Sequence, residues 1–134
     1  AAFNQLLGRH RPASVSRDKL TIDEAITLIK EHGGIPVLAH PGLFPDQGLI
    51  LRLLDYPIEG MEVFHPENTP QQREEYLSLC ATKNLLVTGG SDYHGPQAKK
   101  KLLLGSTGVT WQELVGLYQA RGRTLSCLDL GRIT

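Results

Sequence analysis

Three short apolar runs, each preceded by a stretch with helical spacing, limit what this 134-residue chain can fold into. The runs are Ile35-Pro-Val-Leu-Ala39, Gly60-Met-Glu-Val-Phe64 and Leu85-Leu-Val-Thr88. Each is too short for a core helix and apolar enough for a strand covered on both faces. Ahead of the first, Thr21-Ile-Asp-Glu24 forms a capping box. Behind it, Ile22, Ala25, Ile26 and Ile29 form an inward stripe that ends at Gly33-Gly34. A second helix is expected over about residues 46–55, with Leu49, Ile50, Leu53 and Leu54 inward. A third opens at Thr69-Pro70 with Gln72 completing its box, and Tyr76, Leu77 and Cys80 mark its inner face. A last helix opens at Thr110-Trp-Gln-Glu113, with Trp111, Leu114, Val115 and Tyr118 on one side, and Leu125–Leu128 adds a short strand. Alternating helices and buried strands predict an α/β fold with a parallel sheet and helices outside it.

In such folds chemistry collects where the strands end. His40 follows the first run, His65 the second, and Asp92 and His94 the third. Taken singly each has an ordinary reading: a histidine before proline closes a strand, and an aspartate after glycine makes a turn. Together they are imidazole and carboxylate donors delivered to one edge, the set that Zn, Mn or Fe binds. Gly89-Gly90 lets the backbone turn sharply in front of Asp92. His10 and His32 read as surface residues and Lys99–Lys101 as a solvated face.

The bulk numbers narrow the function classes. Lys+Arg and Asp+Glu are 14 each, so no general charge draws the chain to nucleic acid or an anionic membrane. No apolar run reaches spanning length, and no secretory leader pattern opens the chain. Cys80 and Cys127 are far apart, with Cys80 on a helical stripe, which predicts a reduced, cytoplasmic setting.

Three ordered motifs carry a family resemblance: Gly33-Gly-Ile-Pro-Val-Leu-Ala-His-Pro-Gly42, Gly60-Met-Glu-Val-Phe-His-Pro66 and Leu86-Val-Thr-Gly-Gly-Ser-Asp-Tyr-His-Gly95. They resemble the PHP (polymerase and histidinol phosphatase) family, in particular the bacterial phosphoesterase branch that includes 3′,5′-nucleoside bisphosphate phosphatases. The likeness runs from about Gly8 to Val109, and Leu7-Gly-Arg-His-Arg-Pro-Ala-Ser-Val15 resembles the segment by which that branch leaves an inserted helical subdomain.

The resemblance implies a distorted (β/α)7 barrel holding two or three divalent ions (Mn, Zn, Fe or Mg) and hydrolysing phosphate esters. It implies His40, Asp92 and His94 as metal ligands and catalytic residues. It places His65 and Glu62 in a rim motif, supporting the ligands or facing substrate rather than ligating, with Asn68 on the substrate side. Arg9, Arg11 or the lysines near residue 100 are the cations expected to steer a phosphorylated small molecule or nucleotide. Relatives commonly carry His where Asn68 stands, which implies altered recognition.

The family opens with a His-x-His strand that this sequence does not contain, and the one methionine is Met61. The expectation is therefore the C-terminal half of such a domain. Residues 1–20 would end the inserted subdomain, and residues 21–134 would form the C-terminal half of the barrel. A trinuclear site needs on the order of nine protein donors, so the chain alone is expected to bind metal weakly and to be inactive. Three or four strands cannot close a barrel, and the open edge invites a homodimer or the missing N-terminal half. The alternatives are a non-catalytic scaffold derived from the same domain and a small α/β binding domain with its own closed sheet.

Overall fold

At Thr21 and Thr69 a threonine hydroxyl accepts the N3 backbone N–H, while Glu24 or Gln72 accepts from the threonine N–H in return. At Thr110 the returning bond is present, Thr110 N–H donating to Glu113 Oε2 at 2.6 Å. Caps of this kind contribute about 0.5–2 kcal/mol each and fix where the helices begin. A computed structural model of the chain describes residues 5–6, 12–13, 19–96 and 103–122. Arg9, Arg11, His10, Lys99–Lys101, Cys127 and the strand expected at Leu125–Leu128 lie outside the described residues.

The described elements run α1 (Ile22–Glu31), β1 (Val37–Leu38), a single 3₁₀ turn (Pro41–Leu43), α2 (Gln47–Leu53), β2 (Gly60–Phe64), α3 (Pro70–Lys83), β3 (Leu86–Gly89) and α4 (Trp111–Ala120). The strands form a parallel three-stranded sheet in the order β1-β2-β3. This is the mixed α/β architecture the alternation predicts, consistent with part of a barrel.

Met61 and Val63 are fully buried on the central strand, where they meet Leu38, Ile50, Leu54, Tyr76 and Cys80. Burial of such side chains stabilises by about 1.5–3 kcal/mol each. Burial also pushes the Cys80 thiol up to about 11, which makes it an inert core group at neutral pH. Glu62 and Phe64, alternating with them, are half-buried, and all four residues of β3 are half-buried. Cover on the two faces of the sheet is therefore unequal.

Several expected boundaries move, each for a local reason. β1 spans two residues rather than 35–39 because Pro36 has no N–H for the ladder. Its carbonyl instead accepts from Glu59 and Gly60 at 2.9 and 3.2 Å. β3 starts at Leu86 because the Leu85 N–H turns back to Cys80 O at 2.8 Å, closing α3 behind a left-handed Asn84.

Of the stripe expected on α1 only Ile26 is buried, while Ile22 and Ile29 are exposed. β1, the strand that follows, is too short to offer much apolar surface. On α3 it is Leu79, not Leu77, that joins Tyr76 and Cys80 on the core. Positions i, i+3 and i+4 share a helix face, and i+1 does not. Trp111, at the first turn of α4, is also exposed rather than inward.

The paired glycines divide their work unequally. A Cβ at Gly89 would sit 2.5 Å from the Phe64 Cβ and 2.6 Å from its carbonyl oxygen, whereas one at Gly90 would meet nothing within 4 Å. Only Gly89 is required by close approach of the strands. Gly89→Ala is expected to cost roughly 1–3 kcal/mol through forced backbone displacement, and Gly90→Ala less than about 0.5 kcal/mol. Urea unfolding of the two variants checks this.

Candidate metal centre

The carboxyl ends of β1, β2 and β3 meet around one small space, and each delivers a polar side chain by a local irregularity. After β1 the backbone at His40 is left-handed, φ 50° and ψ 46°, and Pro41 begins the 3₁₀ turn. Proline disfavours the right-handed helical region for the residue before it. The His40 N–H donates to Glu62 Oε2 at 2.8 Å, so a β2 carboxylate pins this bend.

In β2 the ladder skips a residue between Glu62 and Phe64, and such bulges re-aim the side chains beyond them. His65 follows at once, fully buried. After β3, Asp92 is left-handed as well, φ 49°. A non-glycine residue in this region costs of order 1–3 kcal/mol and persists only where its surroundings enforce it. Asn84, with φ 54°, ends a helix in the ordinary way. The other two such residues among those described, His40 and Asp92, face each other across the strand ends.

His40 Nε2 lies 3.7 Å from Glu62 Oε2 and 3.7 Å from Asp92 Oδ1. His65 Nε2 lies 3.6 Å from Asp92 Oδ2. The two imidazoles meet edge to face, with centroids 5.2 Å apart. Two donors held about 2.1 Å from one tetrahedral ion are roughly 3.4 Å apart, so the His40–Asp92 spacing is close to what a shared cation requires. The charges point the same way. Two carboxylates converge on one imidazole, and among the described residues only histidines pair with either of them. The donor set therefore fits a divalent cation.

His94 sits at the outer side, its side chain 69% exposed, with Nδ1 2.6 Å from the Asp92 carbonyl oxygen and 3.6 Å from Asp92 Oδ1. Asn68, expected on the substrate side, is 3% exposed and lies in the wall. Its Nδ2 donates to Val63 O at 2.8 Å, and its Oδ1 lies over Gly42, where no Cβ would fit. Arg9 and Arg11 are outside the described residues.

The sequence gives no sign of Arg73. From α3 it donates to the His65 carbonyl at 3.1 Å and so anchors the loop that carries that ring. Nothing marks it in advance except its place one turn inside the Thr69 cap. A separate cleft of about 570 Å³, lined by His32, Ile35, Tyr118 and Arg121 among others, is bordered by the approach to β1 and by α4, away from these residues.

No protein-family model matches the chain. The phosphoribosyl 1,2-cyclic phosphate 1,2-diphosphodiesterase of Eggerthella lenta is 37% identical over 78 residues, covering 58% of this chain and 30% of that protein. The 5′-3′ exoribonuclease Rnm of Salmonella typhimurium is 32% identical over 124 residues, 83% of this chain and 42% of the relative. The 3′,5′-nucleoside bisphosphate phosphatase of Chromobacterium violaceum is 31% identical over 100 residues, 70% and 35% of the two chains.

Among solved structures, a candidate metal-dependent phosphoesterase from Bifidobacterium adolescentis superposes with a TM-score of 0.65 at 29% identity, covering 96% of this chain and 45% of the other. The chain thus spans less than half the length of these curated relatives. By name these relatives are a phosphodiesterase, an exoribonuclease and a phosphatase, and the structural neighbour is a candidate metal-dependent phosphoesterase. No described helix is long and apolar enough to cross a membrane.

Proposed function

We propose that this chain is the carboxyl-side part of a metal-dependent phosphoesterase barrel, in which His40, Asp92 and His94 hold divalent ions. The observation that carries the reading is the His40–Asp92 pair. Two strained backbones just past the ends of separate strands bring an imidazole and a carboxylate to 3.7 Å, with Glu62 beside them. A divalent ion held there by His40, Asp92 and His94 would supply Lewis-acid chemistry, activating water near neutral pH and offsetting charge on phosphate oxygens. Glu62 fixes the His40 bend by accepting from the His40 backbone N–H. Asn68 donates to the Val63 carbonyl and so holds the loop after β2 against the end of that strand.

The relatives' names suggest a phosphorylated small molecule or nucleotide as substrate. Arg9 and Arg11 are the cations we assign to steering it. The three parallel strands among the described residues do not close a barrel, so the chain alone is expected to be inactive until further strands complete the rim. These strands would come from an N-terminal half or, less completely, from a second copy.

The test uses the longest translated product that contains this segment. It is assayed against nucleoside 3′,5′-bisphosphates, cyclic phosphodiesters and short RNA. The expected result is hydrolysis that chelator abolishes and added Mn²⁺ restores. Hydrolysis indifferent to chelator, or none on any of these substrates, would count against the reading.

A further inference from the structure

We infer that His65 is a positioning residue for Asp92, its proton fixed on Nε2, and that it is not itself a ligand of the cation. The significance of this assignment rests on the metal-site reading above; the tautomer itself does not. By distance alone His65 qualifies as a ligand, because His40, His65 and Asp92 each offer a donor atom within 4.8 Å of the others. Hydrogen bonding argues otherwise. A neutral imidazole has one donor nitrogen and one acceptor nitrogen, and the partner of one decides the state of the other.

The Glu67 N–H donates to His65 Nδ1 at 3.2 Å, so Nδ1 must present its lone pair. The proton is then on Nε2, and a protonated Nε2 has no lone pair for a metal. This N–H is buried, makes no hydrogen bond in the structure, and faces Asp92 Oδ2 at 3.6 Å. An unmet buried donor is costly. Closing the gap by roughly 0.7 Å gives a bond of ordinary length. Asp92 then uses Oδ2 toward His65 and keeps Oδ1 toward His40.

His94 is wired the opposite way. Its Nδ1 lies 2.6 Å from the Asp92 carbonyl, which can only accept. His94 therefore carries its proton on Nδ1 and leaves the Nε2 lone pair open, the arrangement typical of metal-ligating histidines. Two histidines flanking one aspartate are thus set in complementary tautomers, His65 to hold the carboxylate and His94 to coordinate.

The test is a long-range ¹H–¹⁵N spectrum of the full 134-residue chain, selectively labelled at histidine, at pH 8 before and after Zn²⁺. His65 is assigned by its loss in His65→Gln. The expected result is His65 with protonated Nε2 in both spectra, while the His40 signals move on Zn²⁺ addition. A proton on His65 Nδ1, or Zn²⁺ bound at His65 Nε2, overturns the inference. If even saturating Zn²⁺ moves no histidine, the donors of this chain do not hold the cation by themselves, and the metal-free spectrum still decides the His65 tautomer and its hydrogen bond.

Zn²⁺ affinity gives a second readout. His65→Ala is expected to weaken binding by about 10–100-fold. His65→Gln, whose amide N–H can still reach Asp92, is expected to recover most of that loss. A Gln variant as weak as Ala points to a ligand and overturns the positioning role.

Discussion

Asp92→Ala in the 134-residue chain is expected to lower affinity for Zn²⁺ or Mn²⁺ by at least about 100-fold, measured by calorimetric titration. Substitutions that only orient a ligand already cost about 10–100-fold, and Asp92 is placed as a ligand. It is the one side chain of the site that approaches His40, His65 and His94 together, at 3.6–3.7 Å. Its removal leaves His40 with Glu62 alone and His65 Nε2 without any partner. In the same position Asn keeps the shape but removes the charge, so Asp92→Asn should fall nearly as far. The fold should survive both changes, since Asp92 is at a strand end and 25% exposed. A matching far-ultraviolet spectrum and melting curve separate loss of the site from loss of structure.

The second large effect is on stability. Tyr76→Ala is expected to cost about 3–5 kcal/mol, the range for emptying a large aromatic site, out of the 5–15 kcal/mol typical of a whole domain. Tyr76 is 1% exposed and packs α3 onto Met61 and Val63 of β2. Its hydroxyl donates to Gln47 Oε1 at 2.9 Å, linking α3 to α2. Tyr76→Phe removes only that bond and should cost about 0.5–1.5 kcal/mol. Comparing the two in urea unfolding apportions packing against hydrogen bonding. Because α3 also carries Arg73, which holds the His65 carbonyl, loss of Tyr76 should loosen the rim before the chain unfolds globally.

Legibility from sequence follows the range of the forces involved. β2 falls at Gly60–Phe64 as expected because a short, mostly apolar run between two helical stretches is written in the chain itself. The caps at Thr21 and Thr69 are equally local. That His40, His65, Asp92 and His94 all stand past strand ends is legible in the sequence. The expected ligand trio is His40, Asp92 and His94, whereas the close cluster is His40, His65 and Asp92 with His94 at its outer side. What depends on backbone detail was not readable. No spacing rule shows that Glu62 accepts from the His40 N–H, that Glu67 sets the His65 tautomer, or that Asn68 points into the wall. The exposed Ile22 and Ile29 show the converse limit. An apolar stripe shows which face seeks cover, and the surroundings decide whether cover exists.

The account rests on a single cation held between the ends of β1 and β3. Diffraction from crystals grown with Zn²⁺, recorded at the zinc edge, tests it most directly. The predicted result is an anomalous peak about 2.0–2.2 Å from both His40 Nε2 and Asp92 Oδ1. Zinc found elsewhere on the chain, with those two side chains bare, would contradict it.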